Sequence, residues 1–208
     1  MNGRSFICAD CGHEFVISES ILGRYKNWVP RQCLDCRGIP PRQRTARLEL
    51  STEETLQEYS NGPENGIFTD GHCEPNPGHG GWGAVKVVGG KMVQERYGEE
   101  EASTNNRMEL RALIEGYKMI GTDEDIVVYS DSELCVNTIT KWASGWKKKG
   151  WKKKDGEIKN LDLVKELYGR AQARPKARLE WLRGHSGARW NEYADALSRK
   201  AKEEKVAP

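Results

Sequence analysis

From residue 66 onward short apolar runs bounded by Gly and Pro give way to apolar positions that recur every third or fourth residue. Ile67–Asp70 reads as a short strand, residues 71–81 as a Gly/Pro loop, and 82–88 and 91–97 as strands flanking the turn Gly89-Gly90. These three strands are expected to pair antiparallel. Leu110, Leu113, Ile114 and Tyr117 recur at i, i+3, i+4 and i+7 behind Thr104 and Asn105 as candidate caps, which predicts an amphipathic helix of about four turns. Ile126-Val127-Val128-Tyr129 has the continuous apolar, β-branched character of a buried strand. A second helix is expected at about 132–142, a lysine-rich interruption over 143–156, a third helix near 158–171 and a fifth strand over Ala177–Arg183. The last helix carries Trp190, Ala194, Leu197 and Ala201 on one face. The predicted order, βββαβααβα, is an α/β fold with one mixed five-stranded sheet and helices on its faces.

The N-terminal part is organised differently. Residues 1–37 gather around two Cys-x2-Cys pairs, and Gly38-Ile39-Pro40-Pro41 then breaks any regular structure. Residues 45–59 hold helix formers, Leu48, Leu50 and Leu56 among them, without a sustained apolar stripe, and Asn61-Gly62-Pro63-Glu64-Asn65-Gly66 stops them. The expected division is a small module over 1–38, a linker with at most one marginal helix over 39–65, a large domain over 66–204 and a tail over 205–208. A length of 208 residues suits one good-sized domain plus such a module.

Composition excludes several classes. With 31% charged and 37% hydrophobic residues and a mean hydropathy of −0.78, the sequence reads as soluble and globular. No apolar run approaches the roughly 20 residues that span a bilayer, and MNGRSFICADCGHEF is too polar for a secretory signal. The expectation is a cytoplasmic protein without a membrane partner, and a monomer.

The formal net charge of +2 says little, because basic and acidic residues nearly cancel, but their placement says more. Lysines 141, 147, 148, 149, 152, 153 and 154 form a run without an acid, interleaved with Trp142, Trp146 and Trp151, whereas acids gather at Glu99–Glu101 and Asp123–Asp125. A basic patch suits phosphate backbones. The run reads either as a solvated lysine-rich loop or as a helix packed by its tryptophans that presents Lys147, Lys148, Lys149 and Lys152 to a nucleic-acid strand.

Cys8, Cys11, Cys33 and Cys36 supply four thiolates in two pairs, the spacing with which two knuckles close a tetrahedral site around one structural Zn²⁺. So short a segment cannot stabilise itself by burial, so metal binding would be its folding energy. The competing reading is four unrelated cysteines or a redox pair. The stretch FICADCGHEF…PRQCLDCRG resembles a small treble-clef zinc-binding domain, which leaves open whether its partner is nucleic acid or protein. Cys73 and Cys135 read as small packing residues.

Four acids stand out by position: Asp70 at a strand end, Glu109 early in a helix, Asp131 at the end of the buried strand and Asp195 on the last helix. Each also has an ordinary reading as turn, dipole partner, cap or solvated face. Ligands gather where strands of an open α/β sheet end, so Asp70 and Asp131 share an edge if their strands are neighbours.

The surrounding segments Phe68-Thr69-Asp70-Gly71, Asn76-Pro77-Gly78, Thr104-Asn105-Asn106-Arg107-Met108-Glu109-Leu110, Tyr129-Ser130-Asp131-Ser132 and Gly184-His185-Ser186-Gly187…Asn191…Asp195 closely resemble the successive signatures of type 1 ribonuclease H, over about residues 66–203. The lysine-rich insertion resembles the "handle" of the handle-bearing members. The resemblance implies hydrolysis of the RNA strand of RNA–DNA hybrids by two Mg²⁺ or Mn²⁺ ions, giving 5′-phosphate and 3′-hydroxyl ends. It implies that Asp70 bridges both ions, that Asp195 helps hold the ion activating water, and that Glu109 and Asp131 hold the ion on the leaving-group side. It assigns His185, in a flexible loop, to proton transfer or product departure. It places Asn76, Asn106 and Glu109 along the RNA strand, with Thr104 and Asn105 beside the DNA strand and the handle residues Trp142, Trp146, Lys147, Lys148, Lys149, Trp151 and Lys152 as further substrate contacts. Gly145 stands where some members carry an asparagine that grips a phosphate, a departure from the family's phosphate pocket. His72 and His79 receive no role. The rival readings are a hybrid-binding protein without turnover and a related-fold nuclease acting on DNA.

Overall fold

The computed structural model describes residues 3–7, 14–22, 50–154 and 156–206 and divides the chain into two compact units, Met1–Leu48 and Glu49–Pro208. In the first unit, β1 (Gly3–Ile7) and β2 (Glu14–Ser18) form an antiparallel pair with Phe6 opposite Phe15, their rings 5.9 Å apart. The short helix α1 (Glu19–Leu22) follows, and Glu19 accepts a hydrogen bond from Arg4 at 2.8 Å. Cys8, Cys11, Cys33 and Cys36 lie outside the described residues.

The second unit begins with α2 (Thr52–Glu58) and continues with β3 (Gly66–Cys73), β4 (Gly78–Val88) and β5 (Lys91–Ser103). Then come α3 (Asn105–Tyr117), β6 (Ile126–Ser130), α4 (Glu133–Asn137), a π-helical turn over Thr138–Trp142, α5 (Ala143–Lys148), α6 (Leu161–Gln172), β7 (Ala177–Trp181) and α7 (Arg189–Val206). The five-stranded sheet has the order β5-β4-β3-β6-β7; β3, β4 and β5 pair antiparallel, and β6 runs parallel to both β3 and β7. This is the mixed α/β architecture expected from the sequence.

Both faces of the sheet are covered, which explains why its central strands are apolar without alternation. The consecutive residues Ile67 and Phe68 are fully buried in different clusters. Ile67 packs with Leu110, Leu113, Ile114 and Leu167, and Phe68 packs with Trp190, Tyr193 and Leu197. Burial of each such side chain stabilises the fold by roughly 1.5–3 kcal/mol.

Several boundaries differ from those expected. The predicted loop 71–81 is mostly strand, because Gly71, His72 and Cys73 pair with Trp82, Gly81 and Gly80. Glycine-rich sequence here reflects close neighbours above and below the sheet: a Cβ on Gly71 would come within 2.4 Å of the Glu109 backbone nitrogen, and one on Gly81 within 1.9 Å of the Ser198 carbonyl oxygen. Similarly, β5 runs on to Ser103, taking the acidic residues 99–101 into the edge strand. The second helix does not stop at residue 142 but passes through the π turn to Lys148. Thr104 occupies the N-cap of α3 without a capping side-chain hydrogen bond, and Asn105 instead accepts from the Cys73 backbone N–H at 2.6 Å. The one marginal helix allowed in the segment read as linker is α2, which buries Thr52 and Thr55 and packs Leu56 beside them. Cys73 and Cys135 are both buried free thiols.

Candidate active site

Asp70 lies within β3, one residue before Gly71, where α3 touches the strand, so the helix delivers Glu109 beside it. Asp131 follows the last residue of β6, the parallel neighbour of β3. One carboxylate oxygen from each of Asp70, Glu109 and Asp131 lies within 4.8 Å of the others. On the opposite face α7 reaches the sheet at Gly81 and carries Asp195 and Ser198. The Ser198 hydroxyl is 3.1 Å from Asp70 Oδ2 and 2.7 Å from the Asp195 carbonyl oxygen, which ties the helix to the strand at this point. Thus α3 brings Glu109 and α7 brings Asp195 to Asp70, which lies inside β3 rather than at the strand end expected, and to Asp131 at the end of β6.

The electrostatics are those of a carboxylate cluster withdrawn from water. Burial, then the charges of Asp195 and Asp131, push the Asp70 carboxyl well above the usual carboxylate range, against the Ser198 hydrogen bond and Arg199. Burial, followed by Asp70, Asp131 and Asp195, does the same to Glu109. Asp131 is raised by burial, and a hydrogen bond from Asn191 Nδ2 at 3.4 Å opposes the shift. Glu109 Oε2 is buried and has no hydrogen-bond partner. A buried oxygen without a donor, among acids that raise one another's proton affinity, fits a divalent cation, and an all-oxygen donor set favours Mg²⁺ or Mn²⁺.

His185 is exposed, in a tight loop where it adopts φ 52° and Gly187 adopts φ 79°. One ligand atom each of His185, Glu192 and Asp195 also lies within 4.8 Å of the others, so the loop histidine reaches the Asp195 side of the cluster. Glu192 has no role predicted from the sequence. It is buried, accepts from the Gly187 N–H at 3.2 Å, and its signal is the i, i+3 spacing to Asp195 on one helix face.

Residues 63–203 match the profile of the RNase H family. A protein of Herminiimonas arsenicoxydans named Ribonuclease H is 44% identical over 138 residues, which cover 66% of this chain and 93% of the relative. The chain belongs to the RNase H family. Among solved structures, LC9-RNase H1, a type 1 RNase H with the type 2 active-site motif, superimposes with a TM-score of 0.58 at 31% identity, covering 71% of this chain and 76% of that one. LC11-RNase H1 in complex with an RNA/DNA hybrid gives a TM-score of 0.52 at 26% identity, covering 68% and 98%.

In this RNase H domain the remaining predicted residues fall into two groups. Asn76, Thr104, Asn105 and Asn106 gather at the start of α3, where Asn76 Oδ1 accepts from the Asn105 N–H at 3.2 Å. Asn106 also lines a pocket of about 220 Å³ with Trp142 and Trp146. The handle residues form the second group. Trp142 is exposed and its ring lies 6.1 Å from that of Trp146, while Trp146 and Trp151 pack against the core. Helix α5 ends in two left-handed residues, Gly150 and Trp151, and Trp151 N–H donates to the Trp146 carbonyl at 2.7 Å. The Trp151 ring then meets Tyr168 edge-on at 5.9 Å. Lys147 lies over the Tyr168 ring, 5.5 Å from its centre, and Lys148, Lys149 and Lys152 are exposed. The lysine run is therefore helix, turn and irregular chain anchored by tryptophans. No helix among the described residues is long and apolar enough to cross a membrane.

Proposed function

We propose that this chain hydrolyses the RNA strand of RNA–DNA hybrids in a divalent-metal-dependent reaction that leaves 5′-phosphate and 3′-hydroxyl ends. The observation that carries the proposal is the convergence of Asp70, Glu109, Asp131 and Asp195, with a buried Glu109 oxygen that no protein donor satisfies. These carboxylates would hold two Mg²⁺ or Mn²⁺ ions, which supply acidification of the attacking water and neutralisation of the leaving oxygen's charge. Asp70 would be shared between the two ions, Asp195 would help hold the ion that activates water, and Glu109 and Asp131 would hold the ion on the leaving-group side. His185 takes up or passes on a proton at the Asp195 side, where its exposure lets it exchange with solvent.

Strand discrimination requires contact with the 2′-hydroxyl. Asn76, Asn106 and Glu109 line the RNA strand, Thr104 and Asn105 face the DNA strand, and the handle grips DNA phosphates with Lys147, Lys148, Lys149 and Lys152 beside Trp142, Trp146 and Trp151. Support comes from the shared location of the asparagines at the α3 start and from the pocket joining Asn106 to the handle tryptophans. Strand-specific labelling of a hybrid, duplex DNA and duplex RNA, each with and without Mg²⁺, tests this reading. Cleavage of the RNA strand of the hybrid alone, and only with metal, is expected; cleavage of duplex DNA would favour the related-fold nuclease.

The N-terminal unit is proposed to be a Zn²⁺ module, with Cys8, Cys11, Cys33 and Cys36 as its ligands. The doubled knuckle spacing supports it. Metal-binding cysteines fit a reducing compartment such as the cytoplasm.

A further inference from the structure

The family profile begins at residue 63, yet the segment just before it is built into the domain. Helix α2 has a complete capping box: the Ser51 hydroxyl accepts from the Glu54 N–H at 3.2 Å, and Glu54 Oε2 accepts from the Ser51 N–H at 2.8 Å. A helix of 7 residues does not persist alone, so its docking must hold it. Thr52 and Thr55 are buried, and Leu56 packs on the cluster of Phe68, Trp190, Tyr193 and Leu197.

What this segment touches next is the junction between the His185 loop and α7. The Leu56 carbonyl accepts from Arg189 Nη2 at 3.0 Å, and the Asn61 carbonyl accepts from the Arg189 N–H at 2.7 Å. Asn61 also forms a parallel β-bridge with Ala188. The Tyr59 ring stands beside Gly187, 3.7 Å from where a Cβ would lie, and a Cβ on Gly62 would lie 3.2 Å from that of Ala188. Gly187, Ala188 and Arg189 are thus each held from outside the family domain. They form the C-terminal leg of the loop whose other leg is tied by the Ser186 hydroxyl to the Arg183 carbonyl at 2.7 Å.

We propose that residues 51–62 are a positioning clamp for His185: by fixing the loop's C-terminal leg and the first turn of α7, they set where the imidazole stands relative to Asp195. The inference rests on the role given to His185 above. A loop leg held by one backbone hydrogen bond, a second through the Arg189 guanidinium and an aromatic ring samples fewer positions, and small misplacement of a proton-transfer group lowers turnover rather than affinity.

The test uses the full chain with Leu56→Ala and Tyr59→Ala combined, neither residue being part of the site. Turnover at saturating hybrid should fall about 10-fold, with KM and calorimetric Mg²⁺ affinity within about 2-fold of wild type. Amides 185–188 should exchange with deuterium about 10-fold faster, whereas β3 amides change less. Ile126→Val, a core truncation at the end of β6 away from Asp131, serves as the control for general destabilisation. Unchanged loop exchange in the double variant, or equal loss of turnover in the Ile126 variant at a similar Tm, would overturn the clamp. Because exchange is read without substrate, a wild-type chain that fails to cut hybrids would sink the catalytic reading separately.

Discussion

Arg199 Nη1 lies 2.6 Å from Asp195 Oδ1, one helical turn along α7, and places a cation against a cluster of acids. Both side chains are largely buried, at 18% and 10% exposure, so the pair is worth more than a surface ion pair. In the absence of metal, Arg199 partly offsets the repulsion among the carboxylates. Arg199→Gln should therefore destabilise the metal-free protein by about 2 kcal/mol, a Tm fall of roughly 4–8 °C. The same change removes a competitor for Asp195, so Mg²⁺ affinity should rise. Thermal unfolding with and without Mg²⁺, together with calorimetry, checks both; a Tm deficit that persists at saturating Mg²⁺ would mean that Arg199 acts through packing alone.

Asp70→Asn should abolish cleavage and yet stabilise the metal-free fold. The sign follows from the raised proton affinities of Asp70 and Glu109. A group whose folded pKa lies above its unfolded one contributes stability that is fully present below the unfolded value and lost as pH rises through the folded value. Wild-type protein without metal should thus lose Tm as pH climbs out of the ordinary carboxylate range, and Mg²⁺ should restore it. The asparagine variant should show a shallower loss and a smaller Mg²⁺ response. Equal pH slopes in unfolding scans of the two proteins would refute the repulsive cluster.

The parts of this arrangement that sequence exposes are those with strong local periodicity or specific segments. The α3 stripe of Leu110, Leu113, Ile114 and Tyr117 is buried as its spacing implies, and Asp70, Glu109 and Asp131 meet as their segments imply. What sequence does not expose depends on partners distant along the chain. Gly78, Gly80 and Gly81 stand where a side chain would collide with the neighbouring loop, α3 and α7, so the strand character of this segment shows only once those neighbours are placed. Helix α2 buries threonines, which leave no hydrophobic period. Arg199 pairs with Asp195 within α7 itself, whereas the contact of Ser198 with Asp70 appears only when α7 is laid on β3.

His185→Ala should slow turnover by roughly 10²–10⁴-fold, the range for loss of one proton-transfer group, with Mg²⁺ affinity retained. The proximity of His185 to Glu192 and Asp195 makes the second measurement informative. If calorimetry shows Mg²⁺ affinity abolished along with turnover, His185 is a ligand and the proton falls to another group.

Replacing Lys147, Lys148 and Lys149 together by Ala should weaken hybrid binding and reduce the slope of log affinity against log salt. Each phosphate that a lysine no longer neutralises lowers the slope by nearly one unit. Lys147 is partly held over Tyr168, so Lys148 and Lys149 should account for most of the change. Turnover at saturating hybrid should stay near wild type. An unchanged slope in binding titrations at several salt concentrations would make the run a solvated surface.

Residues 1–44 carry Arg4, Arg24, Lys26, Arg31, Arg37, Arg42 and Arg44 against Asp10, Glu14, Glu19 and Asp35, with Phe15, Tyr25 and Trp28 as candidate stacking groups. A small basic, aromatic-bearing module tethered to a nuclease domain would add a second nucleic-acid contact at raised effective concentration, tightening binding without altering the active site. If four thiolates fold that module around Zn²⁺, Cys33→Ser combined with Cys36→Ser should remove one zinc per chain, measured by elemental analysis. The hybrid concentration for half-saturation should then rise, most at higher salt where handle contacts weaken, while saturated turnover holds. Removal of the zinc with half-saturation unchanged at every salt concentration would instead assign the module to a protein partner, since the tether could no longer be contributing to substrate affinity.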